Sequence, residues 1–215
     1  MTSIIPALGA APDGTHQRII EAALDCILER GYYRASSNEI ARRAGMTWGA
    51  IQYYFGTRER LLLAALELSQ EEFAGLMKQA DIAGDSTADR LEQLGKVLCG
   101  QYGSPRYLAA LQIVLNLAHN PETSDETEAA LHEINARLTD HLAAMFALAI
   151  GPEAVQTEIA GLVFHAFRGL ALSYLIGIQT SPEELRSERN LVDLPGDCRR
   201  LAQALALFID GQPTQ

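Results

Sequence analysis

Apolar residues recur at spacings of three and four along nearly the whole 215-residue chain, and no run alternates with the period of two that marks a strand. Ile19, Ile20, Ala23, Leu24, Ile27 and Leu28 form one such stripe, which predicts a helix from about residue 15 to 30 that stops at Gly31. Ile40, Ala41 and Ala44 give a short second helix one small apolar face. Ile51 with Tyr54 or Phe55 gives a third helix, 48–55, a core side opposite Trp48, Gln52 and Tyr53, which leaves Tyr54 and Phe55 as core residues. Leu61, Leu62, Ala65, Leu66, Phe73 and Leu76 carry a long fourth helix. Breaks at Gly84 to Thr87, Ser104-Pro105 and Asn120-Pro121 separate helices near 88–101, 105–119, 125–150 and 152–178. A polar stretch, 179–193, precedes a last helix near 196–210. The expected fold is all-α.

Polar residues mark where the short N-terminal helices begin and end. Ser36 and Glu39 form an S-x-x-E pair, a capping box in which hydroxyl and carboxylate each satisfy a free amide at a helix start. Gly45 stands where the chain must leave that helix, and glycine takes the left-handed conformation such an exit needs. Thr47 is placed to cap the next helix, and Thr57 the one after it. Two short helices joined by a glycine turn make a helix-turn-helix pattern, whose second helix enters the major groove of DNA. On that helix Gln52 can bond N6 and N7 of adenine together, worth about 1–3 kcal/mol of discrimination; its bland alternative is a solvated helix residue. Trp48, one turn earlier, can cover a thymine methyl, and Gly49 and Ala50 permit close approach.

The string I-A-x-x-A-G-M-T-x-G-x-I-x-Y-Y-F-G-T-R-E-R-L-L, from Ile40 to Leu62, resembles the DNA-binding domain of the TetR (tetracycline-repressor-like) family of bacterial transcription regulators. The resemblance extends over roughly residues 15–65 and fades beyond. It implies a three-helix helix-turn-helix domain over 15–60 and a helical ligand-binding and dimerisation domain over 61–215, while residues 1–14, interrupted by proline and glycine, read by composition as a flexible arm. It further implies that Tyr53 contacts phosphate and that Ser37, Asn38, Thr47 and Arg58 occupy positions where phosphate contacts are usual. Such contacts set register rather than sequence choice. Trp48 stands where the family commonly has a basic residue, and Gln52 where it commonly has tyrosine.

A net charge of −10 argues against nucleic acid until its distribution is read. Residues 1–60 hold seven arginines against six acidic residues, whereas 61–215 hold ten basic and twenty-one acidic residues. Arg34, Arg42, Arg43, Arg58 and Arg60 crowd the helix-turn-helix, and the acidic remainder repels DNA from other approaches. Cys26, Cys99 and Cys198 are an odd, widely spaced set without ligand spacing, which suits unpaired thiols in a reducing cytoplasm. Cys198, beside Arg199, is the one expected to be pulled toward thiolate. The first thirteen residues, broken by Pro6, Gly9 and Pro12, do not read as a secretory signal.

The helix after Pro152 is apolar nearly all round and long enough to raise a membrane span. His165 and Arg168 in its middle argue against that, since a central arginine costs about 2.5–3.5 kcal/mol on insertion scales. Ala166, Gly169, Ser173 and Gly177 form a small-residue face on it, and Leu201, Ala204, Leu205 and Phe208 an apolar face on the last helix. The resemblance implies that two such helices from each subunit build a four-helix homodimer interface. Independently, one eight-residue reading helix spans too few base pairs for gene-level specificity, so two half-sites and a palindromic operator are expected.

The same resemblance implies a small-molecule site in the C-terminal part. Its candidates are the polar residues on apolar helices, Tyr102, Gln112, Asn116, His119, His141, His165 and Arg168, with Met145, Phe146, Phe164 and Phe167 as walls. The histidines lack zinc-ligand spacing, so neither metal nor cofactor is expected. The leading expectation is a homodimeric repressor that a small molecule releases from DNA. The alternatives are a helical protein-binding module with a vestigial DNA head and an all-helical enzyme. The enzyme reading lacks a G-x-S-x-G, a phosphate loop or a zinc motif to support it.

Overall fold

The computed structural model describes residues 14–155, 158–180 and 193–211. The expected N-terminal arm and most of the polar stretch before the last helix lie outside them. Among the described residues every regular element is helical: α1 (Gly14–Arg30), α2 (Ser37–Arg43), α3 (Trp48–Phe55), α4 (Arg58–Gln79), α5 (Thr87–Tyr102), α6 (Pro105–His119), α7 (Asp125–Ile150), α8 (Pro152–Val155), α9 (Glu158–Thr180) and α10 (Leu194–Asp210). The chain divides into two compact units. One comprises Met1–Ser69 with Leu108–Ile134, the other Gln70–Tyr107 with Asn135–Gln215. The grouping is thus not linear, because Ala109, Ala110, Ile113 and Leu117 of α6 join the same buried cluster as α1 to α4.

The first unit is built on fully buried Ile19, Ile27, Ile40, Ile51, Leu61 and Leu62, which tie α1 to α4 into one core. Each such side chain contributes about 1.5–3 kcal/mol on burial, which α2 and α3 need, since helices this short do not stand alone in water. Ser36 accepts the Glu39 amide at 3.3 Å, but the Glu39 carboxylate turns to arginines, so only half of the expected capping box forms. The full box is elsewhere, between Ser86 and Asp89 at the start of α5. Phe55 is buried as expected, whereas Tyr54 is 39% exposed and so is not a core residue. On α4 the helical phase buries Phe73 and Met77 and leaves Leu76 outside, contrary to the stripe read from the sequence.

In the second unit α5, α9 and α10 pack against one another. Val163, Phe167, Ala171 and Leu175 supply the buried side of α9. The stretch Glu158–Gly177 is long and apolar enough to cross a membrane, with mean hydropathy 1.6, yet one side of it serves this core. All three cysteines are buried and unbridged. The Cys198 thiol is lowered, in the expected direction, but the cause is a hydrogen bond from the Cys99 thiol inside the core and not Arg199, which pairs with Glu92. A hydrogen bond to Cys198, reinforced by burial, pushes the Cys99 thiol up, so its proton is retained.

Candidate DNA-reading face and effector site

The turn between α2 and α3 is set by Gly45 at φ +67°, where a side chain would be strained, and by the Met46 amide, which donates to the Ala41 carbonyl at 2.9 Å. Thr47 then caps α3, its hydroxyl accepting the Ala50 amide at 3.2 Å. Ile51 and Phe55 anchor the helix from below. Gly49, Gln52 and Tyr53 are left on the outer side, Tyr53 at 87% exposure. Tyr54 extends this aromatic edge, its ring 5.6 Å from that of Tyr53 and perpendicular to it. Exposure of adjacent tyrosines on an eight-residue helix leaves apolar area in water. Trp48 is half-buried and rests partly on the first unit's core, and Ala50 is also half-buried.

Around this edge, charge is organised by Glu39. Its carboxylate takes two bonds from Arg42, at 2.9 and 2.7 Å, and faces Arg30 at 3.2 Å and Arg43 at 3.5 Å. These partners, Arg42 first, hold its pKa down to about 2. Arg43 also pairs with Glu29. One carboxylate thus steadies several guanidinium groups, of which Arg42 remains largely exposed. Ser37 is half-buried and Asn38 exposed at the start of α2, and Thr47 is exposed.

Arg58 behaves differently from the other candidates. Its guanidinium lies 4.5 Å over the Tyr32 ring, donates to the Tyr32 hydroxyl at 3.1 Å, and donates to the carbonyls of Tyr32 and Ala35 at 3.2 and 3.3 Å. It ties α4 to the α1–α2 connection, a role that the sequence did not signal.

The effector candidates fall into two separate groups. Gln112, Asn116 and His119 belong to the first unit. Gln112 accepts the Tyr32 amide at 3.1 Å, and Asn116 and His119, bonded to carbonyls of their own helix, border an open pocket of about 490 Å³ with Tyr32 and Tyr33. Tyr102, Met145, Phe164 and Arg168 belong to the second unit, where Tyr102, Met145 and Phe164 join one apolar cluster. Arg168 donates to the hydroxyl of Tyr107 at 2.7 Å, and the sequence reading missed Tyr107 because it sits in the first turn after Pro105, before the apolar run. His141 is bonded to the Arg137 carbonyl at 2.8 Å, and His165 is exposed.

Of the expected interface residues, Gly169, Ser173, Ala204 and Phe208 are exposed, whereas Ala166, Gly177 and Leu201 are half-buried. Leu205 packs into the second unit's own core, and Leu207, 79% exposed, takes the outer position on α10. Leu162 and Ile176 add exposed apolar area to α9.

Comparison with known proteins locates the chain. Residues 19–65 match the family model for bacterial regulatory proteins of the tetR family. The transcriptional regulator PksA of Bacillus subtilis is 43% identical over 67 residues, 31% of this chain and 32% of that protein. The transcriptional repressor AcnR of Corynebacterium efficiens is 28% identical over 154 residues, 72% of this chain and 69% of that one. A solved TetR-family structure from Streptomyces coelicolor superposes with a TM-score of 0.65 at 22% identity, covering 90% of this chain and 98% of the other. The fold that this likeness shows is all-α, with an N-terminal helix-turn-helix and a helical C-terminal domain.

Proposed function

We propose a working mechanism for this chain, which belongs to the TetR family of bacterial transcription regulators and is therefore a DNA-binding regulator rather than an enzyme. It acts as a cytoplasmic homodimeric repressor on a palindromic operator and leaves that operator when a small molecule binds its C-terminal domain. The observation that carries the DNA reading is α3 itself: a capped, core-anchored helix whose outer side offers an amide, Gln52, beside an exposed Tyr53. Gln52 reads adenine, and Trp48 covers a neighbouring thymine methyl. Tyr53, Asn38, Ser37 and Thr47 hold phosphates, and Gly49 and Ala50 let the backbone approach. Arg58 acts by bracing Tyr32.

Dimerisation is supported by exposed Leu162, Ile176, Leu207 and Phe208, which flank Gly169, Ser173 and Ala204 on α9 and α10. Apolar patches of this kind mark protein interfaces. Two copies place two reading helices on half-sites about 34–36 Å apart, or a multiple of that. The repressor reading is supported by the name of the AcnR relative, which aligns over 72% of this chain.

Selection of bound sequences from a random duplex pool, followed by a salt titration, tests the proposal. An inverted repeat should be enriched, and affinity should fall linearly with salt on logarithmic axes. Enrichment of single half-sites, or of nothing, would overturn the dimeric operator reading.

A further inference from the structure

Hydrogen-bond donors without acceptors gather at one point in the second unit. The Arg168 guanidinium of α9 stands 5.5 Å from the ring centre of Tyr102, 5.8 Å from that of Tyr107 and 5.7 Å from that of Phe164. One of its N–H groups is used on the Tyr107 hydroxyl. Its Nε is buried without a hydrogen-bond partner, and so is the hydroxyl of Tyr102, a residue only 3% exposed. Tyr107, having accepted from Arg168, still has its own proton to give. Among the described residues no carboxylate pairs with Arg168.

The cluster is rich in donors and carries a net positive charge. Nε–H and two phenolic O–H groups are donors, and the guanidinium brings a full positive charge that cannot be titrated away. The faces of three rings compensate part of that charge. Buried donors left unmade are costly, and native interiors rarely leave them so. A water molecule could accept from two of them but would leave the charge unbalanced. A carboxylate accepts on both oxygens and balances the charge at once. A phosphate monoester would bring up to two negative charges against one guanidinium. Beyond the polar heads the surroundings are apolar: Phe73 lies 5.8 Å from Tyr102, Phe146 lies 6.4 Å from Phe164, and Met145 is buried in the same cluster.

We propose that the second unit binds a small organic acid, its carboxylate held by Arg168, Tyr102 and Tyr107 and its apolar or aromatic body lying among Phe73, Phe146 and Phe164. This deepens the proposed effector response and rests on the reading that a small molecule binds the C-terminal domain.

The test uses the full chain with phenylacetate and decanoate, their primary amides, and phenyl phosphate, each at millimolar concentration, followed by thermal shift and calorimetry. At least one acid should bind about tenfold tighter than its amide. Tyr102→Phe removes an unpartnered buried hydroxyl and keeps the ring, so it should fold at least as well as the parent while losing acid affinity about tenfold. Arg168→Met should abolish the preference for acid over amide. Equal binding of acids and amides, preference for phenyl phosphate, binding of no acid, or unchanged acid affinity in Tyr102→Phe would each overturn the proposal. Selection of duplexes without any acid tests the DNA reading separately. A chain that enriches an operator yet ignores every acid loses this inference alone.

Discussion

Gly95 of α5 lies against the ring of Phe167 on α9 with no space between them for a methyl group. A Cβ at residue 95 would stand 2.4 Å from Phe167 Cε1 and 2.6 Å from the Cys198 sulfur. Phe167 is fully buried and cannot move aside. Overpacking costs about 1–3 kcal/mol, and better helix propensity returns about 1 kcal/mol, so Gly95→Ala should lose up to about 2 kcal/mol. Urea unfolding measures this, and a second change, Phe167→Leu, should recover part of the loss. A stabilised Gly95→Ala would show that α9 is not seated as described.

Thr47 holds the start of the reading helix through one hydroxyl. Thr47→Ala should cost about 1 kcal/mol of stability. It should also weaken DNA binding in a mobility shift, whereas Thr47→Ser should restore both.

Arg58 is worth more to the first unit than a surface charge. Replacing its planar fork with lysine removes the simultaneous bonds to two carbonyls and much of the stacking on Tyr32. Arg58→Lys should destabilise the chain by about 1–3 kcal/mol, seen as a lower unfolding midpoint without DNA. An unchanged midpoint would return Arg58 to a purely DNA-facing role.

Acid should loosen the arginine cluster on α2. The Glu39 carboxyl is held down to about 2 from 4.5, chiefly by hydrogen bonds from Arg42. Its folded value is depressed, so its contribution is complete above about pH 4.5 and fades as pH falls toward 2. Glu29, lowered by Arg43, shifts in the same direction. The parent's unfolding midpoint should therefore fall more steeply over this window than that of Glu39→Gln. Parallel curves would show that the cluster adds nothing to stability.

Gln52 and Tyr53 should separate preference from affinity. Gln52→Ala should relax the base choice at one position of each half-site, a change of about 1–3 kcal/mol in discrimination. Tyr53→Phe should weaken every sequence alike and leave the preferred bases unchanged. Loss of affinity without altered preference in both variants would overturn the division of roles.

Elements and their order were legible in the sequence because they follow from local rules. The spacing of Ile19, Ile20, Ala23 and Ile27 dictates α1, Gly45 dictates the turn, and Thr47 dictates where α3 begins. The helix-turn-helix could be read because its function depends on a contiguous string of residues. Local pattern failed where two neighbours compete for one direction. Leu76 and Met77 are both apolar, and only the packing of α4 decides that Met77 goes inward. Glu39 could reach back to its own helix start or forward to arginine, and the nearby guanidinium charges win.

The sequence by itself determined an all-helical chain and a DNA-reading motif, since helical period, caps and a glycine exit are properties of adjacent residues. Tertiary structure alone decided that Arg58 braces Tyr32, that Leu205 faces inward while Leu207 stays outside, and that Tyr102, Tyr107 and Arg168 meet. Those residues are separated by up to dozens of positions. No spacing rule links them, and only the packing of helices within each unit brings charge, hydroxyl and ring into contact.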